Sequence, residues 1–123
     1  MLYSLDTGAT IDWIPHADDY RRWSDRLTAA EYDAIVEELS SRIEGTEIQT
    51  SSWIPGADWS GTVFNPIYET ACLQNPVHAA QFFGLILWDV FRRRPDEYWA
   101  FGRYKKGDIP IAGLTYFRID PPL

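Results

Sequence analysis

Residues 76–94 read PVHAAQFFGLILWDVFRRR, and the apolar side chains in that run leave almost no polar face. On a helix, Val77, Ala79, Ala80, Phe82, Phe83, Leu85, Ile86, Leu87, Val90 and Phe91 cover nearly the full circumference. Such a helix has to be buried on most sides, so the rest of the chain must surround it. Asn75 offers a cap, and Pro76 takes the first helical position, where its missing N–H is harmless. Arg92, Arg93 and Arg94 meet the negative end of the helix before Pro95 stops it. The apolar stretch falls short of the roughly 20 residues of a membrane span and contains Gln81 and Asp89, so no membrane association is expected. It reads as a central core helix, or as a core helix that also offers a surface to a second copy of the chain. A homodimer through this helix or through a sheet edge fits the second reading.

Two helices are expected before it. In 17–27 (ADDYRRWSDRL), Tyr20, Trp23 and Leu27 recur at i, i+3, i+7, with Asp18 and Asp19 suited to the positive first turn. In 29–44 an amphipathic helix starts at the Thr28/Glu31 capping box, carries the stripe Tyr32, Ile35, Val36, Leu39 and Ile43, and stops at Gly45. Glu31, Glu37, Glu38 and Glu44 lie off that stripe. Asn65–Pro66 repeats the Asn–Pro start and predicts a short helix from 66 to about 74.

The first dozen residues read as an extended lead-in. Segments 46–54, 97–104 and 111–119, rich in β-branched and aromatic residues, read as strands. The last two form a hairpin turning at Gly107 and Asp108, with Gly102 and Gly113 marking a bulge or a close backbone approach. The expectation is one small α+β domain: about three antiparallel strands packed on the buried helix 76–94, with the amphipathic helix 29–44 alongside. A length of 123 residues and a hydrophobic share of 46% suit a single packed core.

Charge is uneven. Residues 1–60 hold twelve acids and four bases, a balance of −8, and residues 61–123 balance at +1. This disfavours direct nucleic-acid binding, which draws on Lys and Arg displacing counterions, and favours a basic protein partner. The single cysteine, Cys72, excludes an internal disulfide, and with two histidines it cannot fill a zinc site. No metal and no cofactor is expected. No charged segment precedes an apolar run at the start, so a cytoplasmic setting is the default.

No catalytic motif stands clear of background: no glycine-rich phosphate loop, GxSxG elbow or HExxH pair is present. The loop SSWIPGADWSGT (51–62) carries Ser52, Trp53, Asp58 and Trp59, which suit either stacking on a flat ligand or anchoring the loop itself. The anchoring role is the plainer of the two. A Cys72–His78 pair would need a helix break to bring its members together, and buried cysteine is usually inert. His78, near a positive helix end, reads first as a partly buried hydrogen-bonding imidazole. His16 offers less. Asp58, Glu69, Asp89 and Glu97 sit among apolar residues, with Asp89–Arg93 reading as a local ion pair at an exposed edge. Arg92–Arg94 with Arg103, Lys105 and Lys106 would make an anion-sized patch if the helix end and the hairpin end were neighbours.

Two functions follow. The first is a non-enzymatic acidic interaction module, an inhibitor or immunity-type binder of a basic protein. It would use Asp18, Asp19, Asp25, Asp33, Glu37, Glu38 and Glu44, with Trp13, Tyr20 or Trp23 as aromatic anchors. The second is a small-molecule binder or small enzyme in which Ser52, Trp53, Asp58 and Trp59 work with Glu69, His78 and Arg103. The missing motifs favour the first.

Overall fold

The computed structural model describes residues 1–4, 7–45, 48–50, 61–94, 97–102, 105–106, 109–110 and 115–119. In chain order the elements are β1 (Leu2–Ser4), β2 (Ala9–Ile11), α1 (Ala17–Ser24), α2 (Ala29–Ile43), β3 (Ile48–Thr50), a π-helical turn (Ile67–Ala71), α3 (Pro76–Arg93), β4 (Tyr98–Gly102), β5 (Lys105–Lys106), β6 (Ile109–Pro110) and β7 (Thr115–Ile119). This is a small α+β fold.

The apolar run is the axis of the molecule. From Phe82 to Phe91 every residue of α3 but Gly84 is buried, and each side meets a different element. Phe82 packs on Tyr20 and Trp23 of α1, and Phe83 meets Phe64 just before the π turn. Toward the sheet, Trp88 lies 4.7 Å from Phe101, and Phe91 lies 4.6 Å from Trp99 and 4.2 Å from Tyr116, ring centre to ring centre. Asp89 turns toward α2, where Ile35, Leu39 and Ile43 are fully buried. The chain's own elements thus cover the apolar faces of α3 from Phe82 to Phe91, leaving its first turns, with Val77, and Arg93 at its end open to water.

Five strands form a mixed sheet in the order β2-β1-β4-β7-β3. The expected hairpin is β4 against β7, running antiparallel from Tyr98↔Ile119 to Gly102↔Thr115, and β5 and β6 continue it as a two-stranded ladder. β3 joins the far side of β7 antiparallel. The expected lead-in is instead a tight β1–β2 hairpin with Leu2 opposite Ile11, both buried. β1 also pairs parallel with β4 at Leu2↔Trp99. Strands of three residues carry too little alternation to signal themselves, and the tertiary partner β4 decides their state.

The helix starts follow local chemistry. Thr28 and Glu31 form the reciprocal capping box, and Asn75 Oδ1 accepts from the N–H groups of Val77 and His78. The Asn65–Pro66 start is different from expectation. There the Thr62 hydroxyl accepts from the Phe64 N–H at 3.2 Å, and the segment winds as a π turn closed by the Cys72 N–H on the Ile67 carbonyl at 3.1 Å. Ile67 and Ala71, four residues apart, both enter the core. Leu73 and Gln74 then take left-handed conformations, φ 52° and 65°, and reverse the chain into α3. Each costs a non-glycine residue on the order of 1 kcal/mol.

Phe91, fully buried between the helix layer and the sheet, anchors this arrangement. Phe91→Ala is expected to cost about 3–5 kcal/mol, read as a lowered midpoint in urea unfolding followed by circular dichroism.

Candidate functional site

The acidic N-terminal half is less acidic at its surface than its composition suggests. On α1, Arg21 pairs with Asp18 and Arg22 with Asp19, each three residues apart. On α2, Arg42 Nε donates to Glu38 at 2.9 Å, and Glu31 is engaged in the capping box. Asp33, Glu37 and Glu44 differ: all three are exposed, and none has an ion pair among the described residues. Trp23, a candidate surface anchor, is a core residue only 3% exposed, because its place in the Tyr20–Trp23–Leu27 stripe turns it onto Phe82. Tyr20 is half-buried, with its hydroxyl on that of Tyr32. Of the three candidate anchors only Trp13 is exposed, its ring lying 5.6 Å from Trp88.

Asp89 does not sit at an exposed edge; it is 1% exposed. A bare carboxylate in that position would be strongly unfavourable, and the fold surrounds it with donors. Oδ1 accepts from Arg92 Nη2 at 2.6 Å and from Arg93 Nε at 3.0 Å, while Oδ2 accepts from the Tyr32 hydroxyl at 3.2 Å. Arg92 also donates through Nη1 to the Asp12 carbonyl, and the Trp88 indole donates to the Trp13 carbonyl. Burial raises the pKa of both Tyr20 and Tyr32, so the phenols stay protonated as donors. Every oxygen is committed to a structural partner, so the cluster holds elements together and offers no free acid or base.

A second polar knot closes the other end of α3. Arg94 Nη2 donates to Glu97 Oε2 at 2.9 Å, Arg94 Nη1 to the Ser40 carbonyl, and the Trp99 indole to Glu97 Oε1. Asp89 engages Arg92 and Arg93, and Glu97 engages Arg94, while Arg103 and the side chains of Lys105 and Lys106 lie outside the described residues.

A cleft among the described residues lies between the end of α1 and the start of α3. It has a volume of about 320 Å³. Trp23 and Cys72 form its buried floor, Leu73 and His78 its exposed walls, and Arg22 and Arg26 its rim, with Asn75 at the back. The left-handed turn at Leu73–Gln74 thus does bring Cys72 and His78 into one site. Nucleophilic chemistry is not what results, because burial pushes the Cys72 thiol up to about 11 and keeps it protonated at neutral pH. His78 is exposed rather than partly buried, with its ring 5.4 Å from that of Trp23. Glu69 is exposed and accepts from the Gln74 amide at 2.8 Å, outside the cleft lining. Arg22 and Arg26 are not distinguished by any motif, since charges on a helix face normally mean solvent. The signal available was Arg22 and Arg26, four residues apart, on either side of an aromatic residue.

Ser52, Trp53, Asp58, Trp59 and Arg103 lie outside the described residues. Among the described residues no three metal-ligating side chains come together, and no helix is long and apolar enough to cross a membrane. Comparison of the chain with protein-family models, with curated proteins and with solved structures yields no match.

The Arg94 guanidinium beside Glu97 holds that carboxyl below its ordinary value of 4.5, with help from the Trp99 indole. A carboxylate with a lowered folded-state pKa stabilises the fold above its unfolded value, and the gain disappears as pH falls through the folded value. Glu97→Gln should therefore be less stable than the parent at pH 7, with the gap narrowing steadily below about pH 4.5, as read from urea midpoints across pH.

Proposed function

We propose that this protein is a non-enzymatic interaction module that docks a basic protein partner through one face of α2. The observation that supports it is the exposed pair Asp33 and Glu37, at i and i+4 on one side of α2, with the exposed Glu44 at the C-cap of the same helix. They are exposed and uncompensated, whereas Asp18, Asp19 and Glu38 each have an arginine of their own. Like charges four residues apart on a helix destabilise it by a few tenths of a kcal/mol, a cost that an approaching cationic surface removes. Complementary fields of this kind raise encounter rates and select against acidic partners.

Several observations support a binding role over catalysis. The buried carboxylate is saturated with donors, and the cysteine is held as a thiol. Trp13, more than half exposed, is the aromatic side chain available to a partner. A cytoplasmic setting, in which a lone thiol stays reduced, fits this reading, as does action as an inhibitor of a basic enzyme.

The test is affinity capture at low and high salt with three baits: the parent, Asp33→Asn/Glu37→Gln/Glu44→Gln, and Asp18→Asn/Asp19→Asn. A stoichiometric basic partner should be retained by the parent and the α1 double variant, and lost from the α2 triple variant and in high salt. The triple variant should also be slightly more stable than the parent, since it relieves the like-charge pair of Asp33 and Glu37. Retention by the triple variant, or the absence of any salt-sensitive partner, sinks the proposal.

A further inference from the structure

We propose that the cleft between α1 and α3 binds a small organic anion, one with a flat apolar body and a single carboxylate or phosphate-ester head. The shape supports it first. At about 320 Å³ the cleft falls at the lower end of the range that small-molecule sites occupy. Its floor is apolar, made by the buried indole of Trp23 and by Cys72. A flat ring entering the cleft would meet the exposed side chains of Leu73 and His78.

The charge arrangement selects the head group. Arg22 and Arg26 stand four residues apart on the rim, and no carboxylate belongs to the lining. Arg26 is fixed by one donor, Nη1 on the Ala71 carbonyl at 2.7 Å, which orients the guanidinium and leaves its other N–H groups for a ligand. Arg22 lies over the Trp23 ring, 5.7 Å from its centre, and is shared with Asp19. A planar guanidinium beside an aromatic floor suits a ligand whose charged head and flat body are joined. The 18-residue helix α3 directs its positive end toward the same space. Its first N–H groups are already taken by Asn75, so the helix contributes field rather than donors. The floor adds no opposing charge, because Cys72 stays a neutral thiol.

The local backbone is consistent with a built site. Leu73 is 67% exposed and stands next to Gln74, both in left-handed conformations that favour glycine. A large apolar side chain held in water by a strained turn gains nothing for the core, and here it forms a cleft wall. The proposal concerns α1 and α3, not the acidic face of α2, so it stands or falls separately from the partner-docking reading.

The test is a titration of the ¹⁵N-labelled full chain with 2-naphthoate, 2-naphthyl phosphate and the neutral 2-naphthalenemethanol, followed by NMR at the Trp23 indole N–H and the Val77 and His78 amides. At least one of the two acids should shift these signals saturably, with a Kd of about a millimolar or tighter for a ligand of this size. The stronger of the two identifies the head group. The neutral alcohol should bind roughly tenfold more weakly or worse. Arg22→Gln, at an exposed position where folding is not at stake, should weaken the acid by about tenfold. Asp19→Asn, which releases Arg22 from its ion pair, should tighten it by about two- to fivefold. Arg26→Gln should also weaken binding, and its fold is checked by the dispersion of the same spectrum. Equal binding of acid and alcohol, indifference to both Arg22→Gln and Asp19→Asn, or shifts that never saturate would each overturn the proposal.

Discussion

A carboxylate buried in the middle of a helix core must be given its counter-charge and its donors by the fold, since no water is there to supply them. Asp89 meets this demand from three directions: its own helix through Arg92 and Arg93, α2 through Tyr32, and, through Arg92, the carbonyl of Asp12 between β2 and α1. The Tyr20 hydroxyl extends the chain of donors to α1. Apolar packing alone would let α1 and α2 slide along the greasy surface of α3, because hydrophobic contact has little directionality. The hydrogen bonds to Asp89 set how those helices sit around it. Arg94 and Glu97 do the same at the far end, tying α2, the end of α3 and β4 through Ser40 and Trp99.

The helices were legible because their signals are local. The all-apolar run, the Thr28/Glu31 box and the Asn75–Pro76 start each state a helix in a handful of neighbouring residues, and the hairpin of β4 and β7 follows from two aromatic segments around a glycine turn. What the sequence did not reveal depends on partners far along the chain. β1 and β2 are strands because β4 lies beside them, and nothing in Leu2–Ser4 says so. Asn65–Pro66 resembles Asn75–Pro76, yet the segment after it winds as a π turn, and nothing local in Ile67–Ala71 distinguishes the two. Asp89 was read as one half of a local pair with Arg93. That pairing exists, but its burial follows from α2 lying across it.

Formal charge is a poor guide to the electrostatic surface for the same reason. The first sixty residues balance at −8, yet Arg21 and Arg22 neutralise the aspartates of α1, and Arg22 with Arg26 rims a cleft of opposite character. Asp33, Glu37 and Glu44 on and just after α2, with Asp12 and Asp25, are exposed acids without an ion pair among the described residues. Trp23 shows the matching ambiguity for aromatics. Its helical spacing correctly placed it on a stripe, and a stripe faces inward, so the same observation that located it argued against a role as an exposed anchor.

The parallel pairing of Leu2 with Trp99 joins residues separated by most of the chain. β1 lies between β2 and β4 in the sheet, so it cannot take its place until β4 exists. The helices can form as soon as their own residues are present, but the sheet has to close a loop that encloses all three of them. Loop-closure entropy makes such long-range pairing late and slow relative to helix formation. The β1–β2 hairpin can close locally, but it has to wait for β4 before it joins the sheet, so the pairing of Leu2 with Trp99 comes late in the assembly of the domain.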